Sequence, residues 1–296
     1  MLDLAQLAAL AAVHRRGSFD LAAAELHVTP SAISQRIKAL EEATGSLLIR
    51  RGQPCTATPT GHRLIRHHDE VALLERALTA DLPRLAPGPA TLRIAVNADS
   101  LATWVIPALA ATKDQLFDLV IDDQDVSQDW LRRGEVVAAI TAHSGPLQGC
   151  DTLALGALRY RATASPGYIE HWFSTGVTAR TLALAPALTY SEKDQLQDRW
   201  VATHVAKDAR RTAFPTHRMA SSQAFVDACL TGLGWGLNPE PLVAAHLASG
   251  ALSELVAHTA LDVPLHWQFT RLAAPVLAPL TQALRRSAAQ FLVAPS

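Results

Sequence analysis

Residues 17–41 read GSFDLAAAELHVTPSAISQRIKALE: a short apolar helix, a turn and a second amphipathic helix, the order that sets one helix into the DNA major groove. In the second helix Ile33, Ile37 and Leu40 recur at i, i+4 and i+7, so they share one stripe for burial. Facing away are Ser31, Ser34, Gln35 and Lys38, with Arg36 beside them. These are hydrogen-bonding side chains able to read base edges, not a plain Glu/Lys solvating mixture. Thr29 as N-cap and Pro30 in the first turn aim the helix start, with its partial positive charge, toward phosphate or bases. Phe19, Ala22, Ala23 and Leu26 make the buried side of the supporting helix, whose small alanines allow a close approach of the two axes. Leu4, Leu7, Leu10 and Ala11 supply a third helix, which Gly17 ends.

Outward from this pair, Leu47–Ile49 run into Arg50 and Arg51, a Gly52–Gln53–Pro54 turn, and Thr56 to Thr60. The pattern predicts a two-stranded wing whose arginines touch phosphates beside the groove. Residues 1–66 hold eight of the 26 Lys and Arg but five of the 27 Asp and Glu, so a chain of net charge −1 divides into a head of +3 and a remainder of −4. A basic head suits counterion-releasing contact with a polyanion. A helical protein–protein module with a solvated face is the alternative for the same residues.

From Thr60 to Arg84 no glycine follows Gly61 and no proline precedes Pro83, while Leu64, Val71, Leu78 and Leu85 repeat every seventh residue beside Leu74 and Leu82. The spacing predicts a long helix whose seam pairs with a second helix, although a helix packed on its own chain is also compatible. Pairing matters because one winged head reads a few base pairs, and two heads read a dyad. Pro83, Pro87, Gly88 and Pro89 then predict a hinge. The expected division is a winged head at 1–59, a linker helix at 60–85, a hinge at 86–90 and a second domain at 91–296.

In that second part, TLRIAV at 91–96 predicts a strand, followed by Asn97-Ala98-Asp99-Ser100 and a helix from Leu101 to Thr112. A strand running into a helix start offers free N–H groups to a carboxylate, with Ser100 as cap and Asn97 and Asp99 near an ammonium; a plain cap with no ligand reads equally well. Leu119–Ile121 predicts a strand ending in Asp122-Asp123-Gln124-Asp125, and Ala138–Ile140 another ending at Thr141 and His143. Carboxylates gathered at one strand end suit a cationic partner or simply solvated loop acids. Residues 160–264 predict a second lobe with strands at Leu182–Leu184 and Ala187–Tyr190, the polar loop Ser191–Gln197 that carries Asp194, and Ser221-Ser222 capping a helix Gln223–Leu230. Gly232-Leu233-Gly234-Trp235-Gly236 follows a helix instead of opening one, so it is not a nucleotide loop. Pro264–Phe269 predicts a returning strand and Thr281–Phe291 a last helix, so 265–296 rejoin 91–159 and two crossings frame a cleft.

Cys55, Cys150 and Cys229 are too far apart for a zinc set or a disulfide framework and read as packing residues, and the scattered histidines give no metal site. No signal peptide or apolar run near 18 residues stands in the sequence, which predicts a cytoplasmic chain outside the membrane. No positioned nucleophile and base, such as G-x-S-x-G or H-E-x-x-H, suggests an enzyme.

The helix pair resembles the N-terminal domain of the LysR-type transcriptional regulators, matching A-A-x-x-L-x-[VI]-[ST]-x-[PS]-[AS]-[VIL]-S-x-x-I-x-x-L-E across 22–41. SQRIKALE at 34–41, AVNADSLATW at 95–104 and LRRGEVVAAI at 131–140 resemble the LysG/ArgP branch, which senses basic amino acids and activates their exporter. Many members carry Gln-Pro where this chain has Pro30-Ser31. The resemblance implies an α/β architecture: a winged helix-turn-helix, a long linker helix and a two-lobed domain of periplasmic-binding-protein type. It implies a homodimer or homotetramer acting with promoter DNA and RNA polymerase, no cofactor, and lysine or arginine as effector. The side chain of that effector is then expected at Asp123 or Asp125, its carboxylate at Ser100, with Asn97, Asp99, Trp104, Thr141, His143, Asp194 and Ser222 completing the pocket. A solute-binding protein with no sequence-specific DNA role is the competing reading, disfavoured by the basic head.

Overall fold

The computed structural model describes residues 2–79, 90–123, 125, 127–145, 147–205 and 214–294. The head opens with α1 (Leu4–Arg16), whose first turn is tied by the Asp3 carboxylate accepting from the Ala5 and Gln6 N–H groups. Gly17, in the left-handed region at φ 66°, ends it. Ser18 caps α2 (Phe19–Glu25), and Thr29 Oγ1 accepts the Ala32 N–H at 3.2 Å to start α3 (Pro30–Thr44). Ile33, Ile37 and Leu40 interlock with Leu7, Leu10, Val13, Ala22 and Ala23 in one core. The wing is β1 (Ile49–Arg50) paired antiparallel with β2 (Thr56–Ala57). Glu41 anchors its start by accepting the Leu48 N–H at 2.8 Å, and Gly17 anchors its end by accepting the Cys55 N–H at 2.8 Å.

Helix α4 (Pro59–Thr79) leaves the head and touches both parts of the chain. Ile65 is buried in the head core, with Leu64 packed against it, while Leu73 is buried in the core of the larger domain. Leu64 therefore serves the head's own packing, a correction to its expected place in a seam. Val71 is half-buried, and Leu74 and Leu78 are 53% and 67% exposed along one side. Leu85 and the expected hinge at 86–89 lie outside the described residues.

The larger domain alternates strands and helices: β3 (Ala90–Val96), α5 (Ala98–Ser100) continuing through a π turn at Leu101–Val105 into α6 (Ile106–Ala110), β4 (Gln115–Ile121), α7 (Ser127–Arg133) and β5 (Ala138–Thr141). Then come β6 (Cys150–Ala164), α8 (Pro166–Phe173), α9 (Ala179–Leu182), β7 (Ala187–Thr189), α10 (Leu196–His204), β8 (Thr216–Arg218) and α11 (Ser222–Leu230). Last are β9 (Gly236–Pro239), α12 (Glu240–Ser249), β10 (Ser253–Glu254), β11 (Leu261–Thr270) and α13 (Ala274–Phe291). One mixed sheet runs β10-β6-β11-β5-β3-β4, with β9 also on β6; β7 and β8 form a separate parallel pair. β3 lies parallel to β4 and β5, as short strand-to-helix crossovers demand. The long antiparallel strands β6 and β11, paired from Leu261↔Tyr160 to Thr270↔Cys150 with a register shift between Leu265 and His266, carry the chain between the two lobes. Trp267, Leu158, Ile94 and Ile140 on the sheet pack under Leu277, Leu280 and Leu284 of α13.

Three expectations are corrected. Leu182–Leu184 is not a strand: the reciprocal Thr178–Thr181 capping box starts a helix whose last residue is Leu182, and a short apolar run does not itself choose between helix and strand. The helix after β3 begins at Ala98, with Asn97 as N-cap, rather than at Leu101. The last helix begins at Ala274, seven residues before Thr281, because Pro275 sits harmlessly in its first turn and Pro279 is tolerated inside.

Candidate functional site

On α3, Ser31, Gln35 and Lys38 are exposed and Ser34 and Arg36 partly so, on the face opposite the buried Ile33–Ile37–Leu40 stripe. Thr29 and Pro30 form the start of that helix. Lys38 Nζ stands 3.7 Å from Glu42 one turn on. Arg50 is exposed on the wing, and the Arg51 guanidinium lies 5.2 Å over the Phe19 ring, tying the wing to α2. Helix, helix start and wing thus present one cationic and hydrogen-bonding surface.

A second site is a cleft between the lobes, lined on one side by Asn97, Asp99, Asp122 and Asp123 and on the other by Tyr190, Asp194, Ser222 and Asn238 with Leu196, Phe225 and Leu237. Asp99 follows β3, Asp122 and Asp123 follow β4, Asp194 follows β7 and Asn238 lies in β9. Gathering groups at strand ends is where an open α/β sheet offers a crevice.

Asp99 is half-buried, with Oδ2 accepting the Tyr160 hydroxyl at 2.9 Å and Oδ1 accepting the Ser222 hydroxyl at 2.6 Å. Burial pushes its carboxyl above the usual range, and the two hydroxyl donors oppose that rise. The Tyr160 phenol is held well above its ordinary value by burial and by Asp99, so it remains a neutral donor. Burial raises Asp123 to about 6, helped by the charges of Asp125, Asp194 and Asp122, while the Asp125 N–H, donating at 2.8 Å, resists. Asp194 is also raised by burial, although it accepts the Tyr190 and Leu196 N–H groups at 2.8 and 3.0 Å. Asp122 accepts the Trp130 indole N–H and the Asp123 N–H, each at 2.9 Å, and Lys193 Nζ stands 3.7 Å away from the opposite lobe. Asn238 uses its NH₂ on Thr163 Oγ1 and Cys229 Sγ, at 3.0 and 3.3 Å.

The structure brings Asn97, Asp99, Asp123, Asp194 and Ser222 together. It corrects five other expectations. Ser100 is in the first turn of the helix, not its cap, and is fully buried behind the cleft wall. Trp104 is a core side chain, its carbonyl accepting the Ser287 hydroxyl at 2.5 Å. Asp125 is exposed and, with His143, braces the loop: its carbonyl meets His143 Nε2 at 2.9 Å. Thr141 is buried at the end of β5 and accepts the His143 N–H at 3.2 Å. Tyr190 and Asn238 also stand in the wall, which the sequence did not predict; Tyr190 directly follows β7 and Asn238 lies within β9. The three cysteines are free and buried, in keeping with packing roles.

A winged helix-turn-helix joined by a long helix to a two-lobed domain with a cleft between its lobes defines a small-molecule-responsive DNA-binding regulator. Residues 4–62 match the bacterial regulatory helix-turn-helix protein, lysR family, and residues 87–292 match the LysR substrate binding domain. The chain belongs to the LysR family of transcriptional regulators, and within it to the LysG/ArgP type. It is 43% identical to HTH-type transcriptional regulator LysG of Mycobacterium tuberculosis (strain ATCC 25618 / H37Rv), over 97% of this chain and 94% of that protein. It is also 43% identical to HTH-type transcriptional regulator ArgP of Pseudomonas fluorescens (strain Pf0-1), over 99% of each. Its fold is similar to the crystal structure of ArgP from Mycobacterium tuberculosis, with TM-score 0.83 and 42% identity over the whole of both chains. It is also similar to full-length LysG from Corynebacterium glutamicum with bound effector Arg, with TM-score 0.71 and 32% identity over 99% of this chain and all of that one. No helix among the described residues is long and apolar enough to cross a membrane.

Proposed function

We propose that this regulator binds a basic amino acid, arginine or lysine, in the cleft between its lobes and adjusts transcription of an amino-acid exporter gene in response. The observation that carries the reading is the convergence of Asp99, Asp122, Asp123 and Asp194 on a cleft whose wall, among the described residues, holds no Lys, Arg or His. Carboxylates raised by burial and by one another gain most from a cation that enters with its own donors. The arginine held by the Corynebacterium glutamicum relative supports the same ligand class.

In this reading α3 enters the major groove through Ser31, Ser34, Gln35, Arg36 and Lys38, the start of that helix at Thr29 and Pro30 meets the backbone, and Arg50 and Arg51 clamp phosphates beside it. The Val71–Leu74–Leu78 side of α4 pairs two chains, and dimers pair into tetramers. Ligand binding favours one arrangement of the lobes, and α4, whose Leu73 is rooted in the larger domain, carries that change to the head. RNA polymerase is the partner that reads the result, in the cytoplasm, and the chain acts by binding rather than catalysis. Calorimetric titration with L-arginine, L-lysine and the uncharged isostere L-citrulline tests the ligand class. Heat from the first two and none from citrulline is the expected result; preference for citrulline overturns it.

A further inference from the structure

An amino acid brings a carboxylate as well as its cations, and among the described residues the cleft wall offers that carboxylate no cationic side chain. The Ser222 hydroxyl is committed to Asp99, the Asn238 NH₂ to Thr163 and Cys229, and the charged side chains among the described wall residues are four Asp. Among the described residues, the cation that pairs with a wall acid is Lys193, 3.7 Å from Asp122 Oδ1. It stands on the loop between Tyr190 and Asp194, both wall residues, and its side chain is 60% exposed. Asp122 does not depend on it, since each carboxylate oxygen already accepts a closer N–H, from Trp130 and from Asp123. A long, mobile-jointed ammonium at the mouth of an acidic cleft, loosely held by an already satisfied carboxylate, is placed to serve something else.

We propose that Lys193 is a specificity-determining residue that swings from Asp122 onto the carboxylate of the bound amino acid. It thereby separates amino acids from the corresponding decarboxylated amines. The inference rests on the basic-amino-acid reading of the cleft: the acids accept the cationic ends, and Lys193 supplies the one opposite charge the ligand needs. Without such a group, the four wall aspartates favour agmatine, which is arginine lacking its carboxylate, over arginine by charge alone.

The test is titration of the full-length wild type, Lys193→Met and Lys193→Arg with L-arginine and with agmatine. Wild type is expected to prefer arginine; Lys193→Met weakens arginine by about tenfold, the scale of one charged hydrogen bond, and leaves agmatine within about twofold, while Lys193→Arg retains arginine. Arginine binding unchanged in Lys193→Met, or parallel loss of both ligands, overturns the role of Lys193 while leaving the ligand class intact. No heat from wild type with either arginine or lysine overturns the ligand class and this role together. Because the side chain is largely exposed, an unaltered thermal midpoint in Lys193→Met verifies folding.

Discussion

The Ser222 hydroxyl donates to Asp99 Oδ1 at 2.6 Å, joining residues 123 positions apart across the cleft and so tying one lobe to the other. Asp99 has two hydroxyl partners, and losing one leaves a half-buried carboxylate under-satisfied. We expect Ser222→Ala to lower unfolding free energy by about 1–3 kcal/mol, and Ser222→Thr to lower it less. Urea denaturation measures this, and equal midpoints for Ala and wild type would refute the tie.

Asp123 makes the ligand-free protein and the ligand respond to pH in opposite ways. Its folded value of about 6 lies above the ordinary 3.8, so between these values the folded chain holds a proton that the unfolded chain has released. Stability without ligand is therefore expected to fall as pH rises through this window, and Asp99 and Asp194 act in the same direction. A cationic ligand favours the ionised form, so arginine affinity should rise from pH 5 to pH 7, with proton release. The rise should be shallower in Asp123→Asn. Affinities that do not change with pH in wild type would contradict this.

Gln35 is exposed on α3 and Arg50 on the wing, and they are expected to fail differently. Gln35→Ala should weaken specific operator binding by about 1–3 kcal/mol with little effect on unrelated DNA. Arg50→Ala should weaken binding to every sequence and reduce the salt slope by about 1. Mobility shifts across a salt series separate the two; identical behaviour of both variants would rule out this docking.

Neighbouring leucines on α4 do opposite work. Leu73 is buried in its own chain, so Leu73→Ala should cost about 2–5 kcal/mol of stability by opening a cavity. Leu74 and Leu78 are exposed, so the double change to Glu should spare the fold and dissociate the dimer. Sedimentation velocity reports the second outcome, and a double variant that stays dimeric would move the interface elsewhere.

Much of the head is legible residue by residue. Thr29, Pro30 and Gly17 act through backbone bonds within a few positions, and the Ile33–Ile37–Leu40 stripe needs only the helical period. The larger domain is less legible where neighbours decide. Leu182–Leu184 is apolar enough for a strand, and a cap four residues earlier makes it the end of a helix. The cleft shows the same limit at higher stakes. Once Asn97 rather than Ser100 is the cap, Asp99 faces the crevice, and Ser100, a turn of ~100° further round the helix, faces the core.

The sequence alone determined the winged head, the long helix and the two-lobed plan, because periodicity and caps are properties of short segments, and it left the strand-end acids open between a cationic partner and solvated loops. Only the tertiary structure decided which acids share the cleft and that Lys193 stands beside them. The physical reason is distance along the chain: Asp99, Asp122, Asp194, Ser222 and Asn238 meet because β6 and β11 hold two lobes together, and no local pattern records that meeting.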